Sequence, residues 1–271
     1  MLLRLLLLLA VLLENLRAGD ASSPGDTACV PNQPCYTAAS IANSAANVAG
    51  YYAPNSFLTI YGTNLSYVTG SLGPADIGAG MLPWALPGTE VEVLLNNIPG
   101  YIYYVSATQV NVLIPEILVP GPLTVQLKNR AIYGPPVEIT LSAAAPALFQ
   151  LDASNVIATH GNGPLVTPDS PAQPGEIVVL YATGLGVTAP EAICGTLPDA
   201  AWPLSDLSDF VVELNGVPVN RKLIQYAGDA PGFAGLFQIN LQLPADCPPN
   251  PEIRIGFGTN LSPAQRYLPV Q

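Results

Sequence analysis

FLTIYGTNLS, residues 57–66, is written a second time as IVVLYATGLG, residues 177–186. The agreement continues outward from that phrase. EVLLNNIP (92–99) matches VVELNGVP (211–218), and QVNVLIP (109–115) matches QINLQLP (238–244). The separations are 181 − 61 = 120 for the tyrosines, 218 − 99 = 119 for the prolines and 238 − 109 = 129 for the glutamines. The step in spacing falls between Tyr226 and Gln238, where the second copy carries the Gly/Pro-rich run GDAPGFAG. Such a run absorbs an insertion at little cost. One domain is therefore expected twice in tandem.

Each copy reads as strands of period two. Leu123, Val125 and Leu127 alternate with Thr124, Gln126 and Lys128, and Phe237, Ile239, Leu241 and Leu243 alternate with Gln238, Asn240 and Gln242. One apolar and one polar face per strand is the pattern of antiparallel sheets. Asn96-Asn97 and Asn215-Gly216 sit between β-rich runs and suit the positive φ angles of two-residue hairpins. About seven short strands per copy, with turn signals every 8–12 residues, predict an all-β chain of two immunoglobulin-like β-sandwiches. The boundaries read from the sequence are a signal peptide over 1–19, an N-terminal linker with a Cys loop over 20–50, and sandwiches over 51–150 and 151–271.

The leader is a basic start, Met1 to Arg4, followed by nine apolar residues, Leu5 to Leu13, and small residues at Ala18, Gly19 and Ala21. Nine apolar residues are too few to span a bilayer and suit a secretory h-region, the other reading being an uncleaved anchor. Cleavage would remove Arg4, Arg17 and Glu14, taking the net charge from −11 to −12. An acidic chain with six remaining Lys and Arg and no basic run is a poor partner for nucleic acid or anionic membrane.

Four cysteines follow the leader, as in a chain made for an oxidising compartment. Cys29 and Cys35 close a local loop with two prolines; Cys194 and Cys247 both lie in the second half. The expected pairs are Cys29–Cys35, worth about 2 kcal/mol, and Cys194–Cys247, worth about 4 kcal/mol. Zinc is disfavoured, because there is no CxxC spacing and only one histidine.

Several ordered phrases carry a family resemblance. IANSAA (41–46), APNSF (53–57) with LTIYGTNLS, YVSATQVN (104–111), ATGLG (182–186) and the terminal LPV (268–270) resemble the Solibacter-type C-terminal domain of secreted acidobacterial proteins. TIYGTNL also resembles the opening of IPT/TIG immunoglobulin-like domains. The resemblance spans roughly residues 38–271, with Asn55 standing where that family usually has glycine. It implies a β-sandwich outside the cytoplasm and no established activity, and makes this module the expected mature product.

Chemistry is sparse. His160, in the run ATHGNGPL, is the only histidine and is expected to be a solvated loop residue. No G-x-S-x-G, H-E-x-x-H or P-loop phrase occurs. Asp199, Asp206 and Asp209 form the densest acidic cluster but lack the pattern of a calcium loop. Trp84 follows Tyr61 by 23 residues and Trp202 follows Tyr181 by 21, so both are expected in the long connection after the first core strand. An exposed indole there would offer a flat face to a sugar ring; a buried one would plug the end of its sandwich. Tyr101 and Tyr103, on one strand face by alternation, complete the candidate contact set. The expected function is structural or adhesive, without catalysis, cofactor or metal, the alternative being a carbohydrate-binding module using the loop tryptophans. Expected partners are a surface polysaccharide or another extracellular protein.

Overall fold

The computed structural model describes residues 29–271, so the expected signal segment lies outside the described residues. Among the described residues no helix is long and apolar enough to cross a membrane. The chain forms two compact units, one ending at Ala144 and also holding Ile193–Leu197, the other made of Ala145–Ala192 and Pro198–Gln271.

The first unit contains β1 (Ile41–Asn43), β2 (Phe57–Tyr61), β3 (Gly70–Ser71), β4 (Val91–Leu95), β5 (Ile98–Pro99), β6 (Tyr101–Val105), β7 (Gln109–Leu113), β8 (Gly121–Asn129), β9 (Ile132–Tyr133) and β10 (Val137–Leu141). Its two antiparallel sheets run β1-β2-β7-β6-β3 and β10-β8-β4-β5, with β9 on β8. The second unit contains β11 (Ala147–Leu148), β12 (Ala158–His160), β13 (Ile177–Thr183), β14 (Trp202–Pro203), β15 (Phe210–Leu214), β16 (Val217–Pro218), β17 (Ile224–Asp229), β18 (Phe237–Gln242), β19 (Ile253–Phe257) and β20 (Asn260–Leu261). Its sheets run β11-β13-β18-β17-β14 and β16-β15-β19-β20, with β12 also on β13. Each unit is thus an immunoglobulin-like, all-β pair of sheets, and the chain passes between sheets in the same order in both.

Alternation of side chains builds the cores. Val91, Val93 and Leu95 are buried while Glu92 and Leu94 are half-exposed, and Leu123, Val125 and Leu127 are buried opposite them. Full burial of each such side chain stabilises by about 1.5–3 kcal/mol. The hairpins close on left-handed residues, Asn96 (φ 50°) with Asn97 (φ 65°), and Asn215 (φ 51°) with Gly216 (φ 75°). Gln109 sits opposite Tyr61 as Gln238 sits opposite Tyr181. Both glutamines donate from Nε2 to the asparagine two residues on, Asn111 and Asn240, at 3.0 Å. The register also slips at one matching place, between Ile102 and Tyr104 in β6 and between Ile224 and Tyr226 in β17.

Two boundaries are corrected. The units part after Ala144, and the stretch read as a linker belongs to the first fold: Ile41, Ala42 and Asn43 pair with Ile60, Thr59 and Leu58. Tyr36, also buried, accepts the Leu127 N–H on its hydroxyl at 2.6 Å. Small residues let this stretch lie close over β2, all five of whose residues are buried. Ser44 Oγ meets Thr59 Oγ1 at 2.8 Å, and the Tyr61 hydroxyl donates to Asn47 Oδ1 at 3.0 Å.

Candidate functional site

Residues 62–90 carry the first unit's chain from one sheet to the other, and Leu82 and Leu86, both buried, hold that connection down. Ile102 N–H donates to Pro83 O at 3.1 Å, Leu82 N–H to Gly195 O at 2.8 Å and Leu197 N–H to Gly80 O at 2.9 Å. Residues 80–83 are thereby stitched to β6 and to the segment Ile193–Leu197. Trp84 follows directly, and 57% of its surface is exposed.

The buried Tyr101 phenol lies behind Trp84, close to Cys194 and Glu116. Burial, reinforced by Cys194, pushes the Tyr101 phenol up to about 12. Burial, then the neighbouring Glu116 carboxylate, pushes the Cys194 thiol up as well, which disfavours the nucleophilic thiolate. The Tyr101 ring lies against Gly195, where an added Cβ would stand 2.4 Å from the ring. Around it, Met81, Ile117 and Ile193 are exposed. Trp84 therefore stands among exposed apolar side chains, with the buried Tyr101 behind it.

The other candidate residues part company here. Tyr101 and Tyr103 are both buried, which removes them as ligand contacts. The bulge in β6 interrupts the alternation, and Tyr103 packs edge-on against Phe57 with ring centroids 4.9 Å apart. Trp202 is half-buried in the edge strand β14, opposite Asp229, so the two tryptophans are not equivalent, and exposed Trp84 plugs nothing. Cys29 and Cys35 are bonded, with Cα atoms 5.6 Å apart. The expected Cys194–Cys247 bond is corrected: both are free thiols, Cys194 within the first unit and Cys247 buried in the second. Neither sequence spacing nor hydropathy marks five residues of the second repeat as belonging to the first fold. Asp199, Asp206 and Asp209 are exposed, and Asp206 caps the Ser208 N–H at 2.8 Å. Among the described residues no group of three metal-ligating side chains gathers.

His160 is not a solvated loop residue. It ends β12, with Nδ1 2.5 Å from Glu176 Oε1 and Nε2 3.2 Å from Ser170 O and 3.4 Å from Ser170 Oγ. The arrangement has the members of a Ser-His-acid triad, yet the nearer neighbour of Nε2 is a carbonyl oxygen. Ser170 Oγ is the more distant of the two, and both contacts come from the loop that follows β12. His160 pairs with Val178 as Asn43 pairs with Leu58, and Asn43 Oδ1 accepts the N–H groups of Ala45 and Ala46. Both residues clamp the loop that follows their strand.

No family model matches the sequence, and a search of curated proteins returns no match. Solved structures resemble the chain distantly. A surface glycan-binding protein from Prevotella bryantii is 12% identical, with 82% of this chain and 39% of that chain covered and a TM-score of 0.27. A surface glycan-binding protein of the Bacteroides ovatus mixed-linkage glucan utilization locus, solved with a mixed-linkage heptasaccharide, is 11% identical, with coverages of 82% and 43% and a TM-score of 0.31. The tandem Ig repeats of Dlar are 10% identical, with coverages of 81% and 91% and a TM-score of 0.20. The chain spans less than half the length of the two glycan-binding proteins. TM-scores of this size carry nothing about activity.

Proposed function

We propose that this protein is an extracytoplasmic interaction module that works without catalysis, and that Trp84 is the centre of its contact surface. The apolar leader and the Cys29–Cys35 bond support the location, since disulfides persist in oxidising compartments. The observation that carries the reading is an indole 57% exposed on a loop that is itself fixed, by buried Leu82 and Leu86 and by the Ile102–Pro83 and Leu82–Gly195 bonds. A fixed aromatic among exposed Met81, Ile117 and Ile193 has the composition of a protein-interface centre, where Trp and Met are enriched and a few anchors supply most of the energy. A sugar platform needs exposed hydrogen-bonding groups beside its ring, and here Tyr101 is buried while the exposed neighbours are Met81, Ile117 and Ile193. The partner is accordingly another extracellular protein.

The test is adhesion of the immobilised full chain to a panel of extracellular proteins and polysaccharides, compared with Trp84→Ala. Loss of an anchor costs about 2 kcal/mol, or about thirtyfold in affinity, and an exposed side chain should leave the melting temperature unchanged. Equal binding by the variant refutes the reading, as does turnover of an ester, glycoside or peptide that a point substitution abolishes.

A further inference from the structure

The sheet β11-β13-β18-β17-β14 of the second unit repeats a polar face that the first unit keeps covered. In the first unit Thr59, Gln109 and Asn111 on that face are buried. The chain's own hairpin lies over them, with the Ser44 hydroxyl on Thr59 and Asn47 Oδ1 on the Tyr61 hydroxyl. Pairing of Asn43 with Leu58 and of His160 with Val178 makes Gly161 the counterpart of Ser44, and Val179 the counterpart of Thr59. Glycine has no side chain to lay on the face and valine has no hydroxyl to receive one. The covering contact is gone in the second copy.

The amide pair beneath it remains. Gln238 and Asn240 are half-buried on β18, joined by Gln238 Nε2 to Asn240 Oδ1 at 3.0 Å. Gln238 Oε1 and Asn240 Nδ2 meet no protein group among the described residues. An acceptor and a donor thus stand side by side on one strand face, on amides two residues apart. Beside Asn240 across the ladder lies half-buried Tyr226, whose hydroxyl donates to Asp229 O at 2.7 Å. Beside Gln238 lies Tyr181, whose hydroxyl reaches Thr159 Oγ1 only at 3.5 Å.

We propose that this face binds a neutral saccharide chain through Gln238 and Asn240, independently of the Trp84 surface. A hydroxyl is donor and acceptor at once, so successive ring hydroxyls satisfy an acceptor and a donor in either order. The Ser44 hydroxyl already plays that part in the first unit. The ring of Tyr226 gives a pyranose an apolar neighbour. No side chain in this set carries a charge, and a net charge of −11 disfavours anionic ligands. An uncharged sugar is the chemistry that fits.

The experiment titrates the isotopically labelled full chain with neutral oligosaccharides of β-1,4-glucan, β-1,3-glucan, xylan, mannan and α-1,4-glucan, following the side-chain amide signals of Gln238 and Asn240 by NMR. At least one oligosaccharide should move both signals. Asn240→Ala should weaken that binding about three- to tenfold, as loss of one hydrogen bond predicts. Asn240→Asp, which keeps the acceptor for Gln238 and removes the Nδ2 donor, should weaken it equally with an unchanged melting temperature. Trp84→Ala should leave it intact, which separates this site from the proposed adhesive surface. The inference is overturned if no oligosaccharide moves the two signals at millimolar concentration. It is equally overturned if binding survives in both Asn240 variants or is lost in Trp84→Ala, or if only a polar peptide shifts the signals.

Discussion

Gly195→Ala is the substitution that probes the Trp84 surface from behind. Gly195 has φ +65°, and an added Cβ would lie 2.4, 2.6 and 2.9 Å from Cε1, Cζ and the hydroxyl oxygen of Tyr101. The left-handed backbone costs an L-residue about 1–2 kcal/mol. Relieving overlap in a packed contact costs about 1–3 kcal/mol more, for a sum of about 2–5 kcal/mol. Tyr101 has nowhere to retreat, because the ring is buried. The strain therefore falls on Ile193–Leu197, which is held by the Leu82–Gly195 and Leu197–Gly80 bonds. Thermal unfolding followed by tryptophan fluorescence should show a melting point lowered by about 4 °C or more. Hydrogen exchange should show lost protection of the Leu82 amide, and Cys194 should alkylate faster once the Ile193–Leu197 segment loosens. An unchanged melting point together with unchanged Leu82 protection would refute the packing argument.

Two further outcomes follow from the thiols and the tyrosines. Thiol titration of the denatured, unreduced chain should count two groups, with peptide mapping placing them at Cys194 and Cys247 and linking Cys29 to Cys35; a 194–247 crosslink would contradict the structure. Burial pushes Tyr36 and Tyr61 each up to about 12. Groups with a raised native pKa lend stability that is whole below the unfolded tyrosine value of about 10 and is lost as pH rises through about 12. The melting temperature should fall across that window, and less steeply in Tyr61→Phe; a profile flat up to pH 12 would show that these phenols are not held as described.

The repeat and its sandwich were legible because they rest on local patterns. FLTIYG and IVVLYA alternate into strands, Asn96-Asn97 and Asn215-Gly216 supply the left-handed turns, and the GDAPGFAG run ends β17 and supplies most of its connection to β18. What escaped the sequence depends on which element covers which. IANSAA reads as a linker by composition, and its ladder onto β2, with the Thr59 hydroxyl and the Tyr61 phenol receiving Ser44 and Asn47, is not visible in hydropathy. Trp84 and Trp202 stand at similar offsets in the repeat, yet one remains in a loop while the other adds to an edge of its sheet opposite Asp229. Alternation put Tyr101 and Tyr103 together until a bulge, invisible to the hydropathy pattern, gave them separate contacts.

The internal repeat also supplies what a single sequence otherwise lacks, a reference for each departure. Asn43 and His160 differ in chemistry and agree in task, since each turns a side chain back onto the loop that follows. That agreement is the physical ground for reading His160 as a clamp even with Ser170 and Glu176 around it. Where the copies differ without a replacement, the inference runs the other way. The first unit satisfies its Gln109–Asn111 face from within the chain and buries it, so that face is spent on stability. The second keeps the same two amides, lacks the Ser44 hydroxyl, and leaves one acceptor and one donor half-buried. Partly desolvated amide groups cost free energy when they have no partner better than passing water. A ligand that supplies hydroxyls would recover that cost, whereas folding alone gains nothing from the pair that a smaller polar residue would not also give.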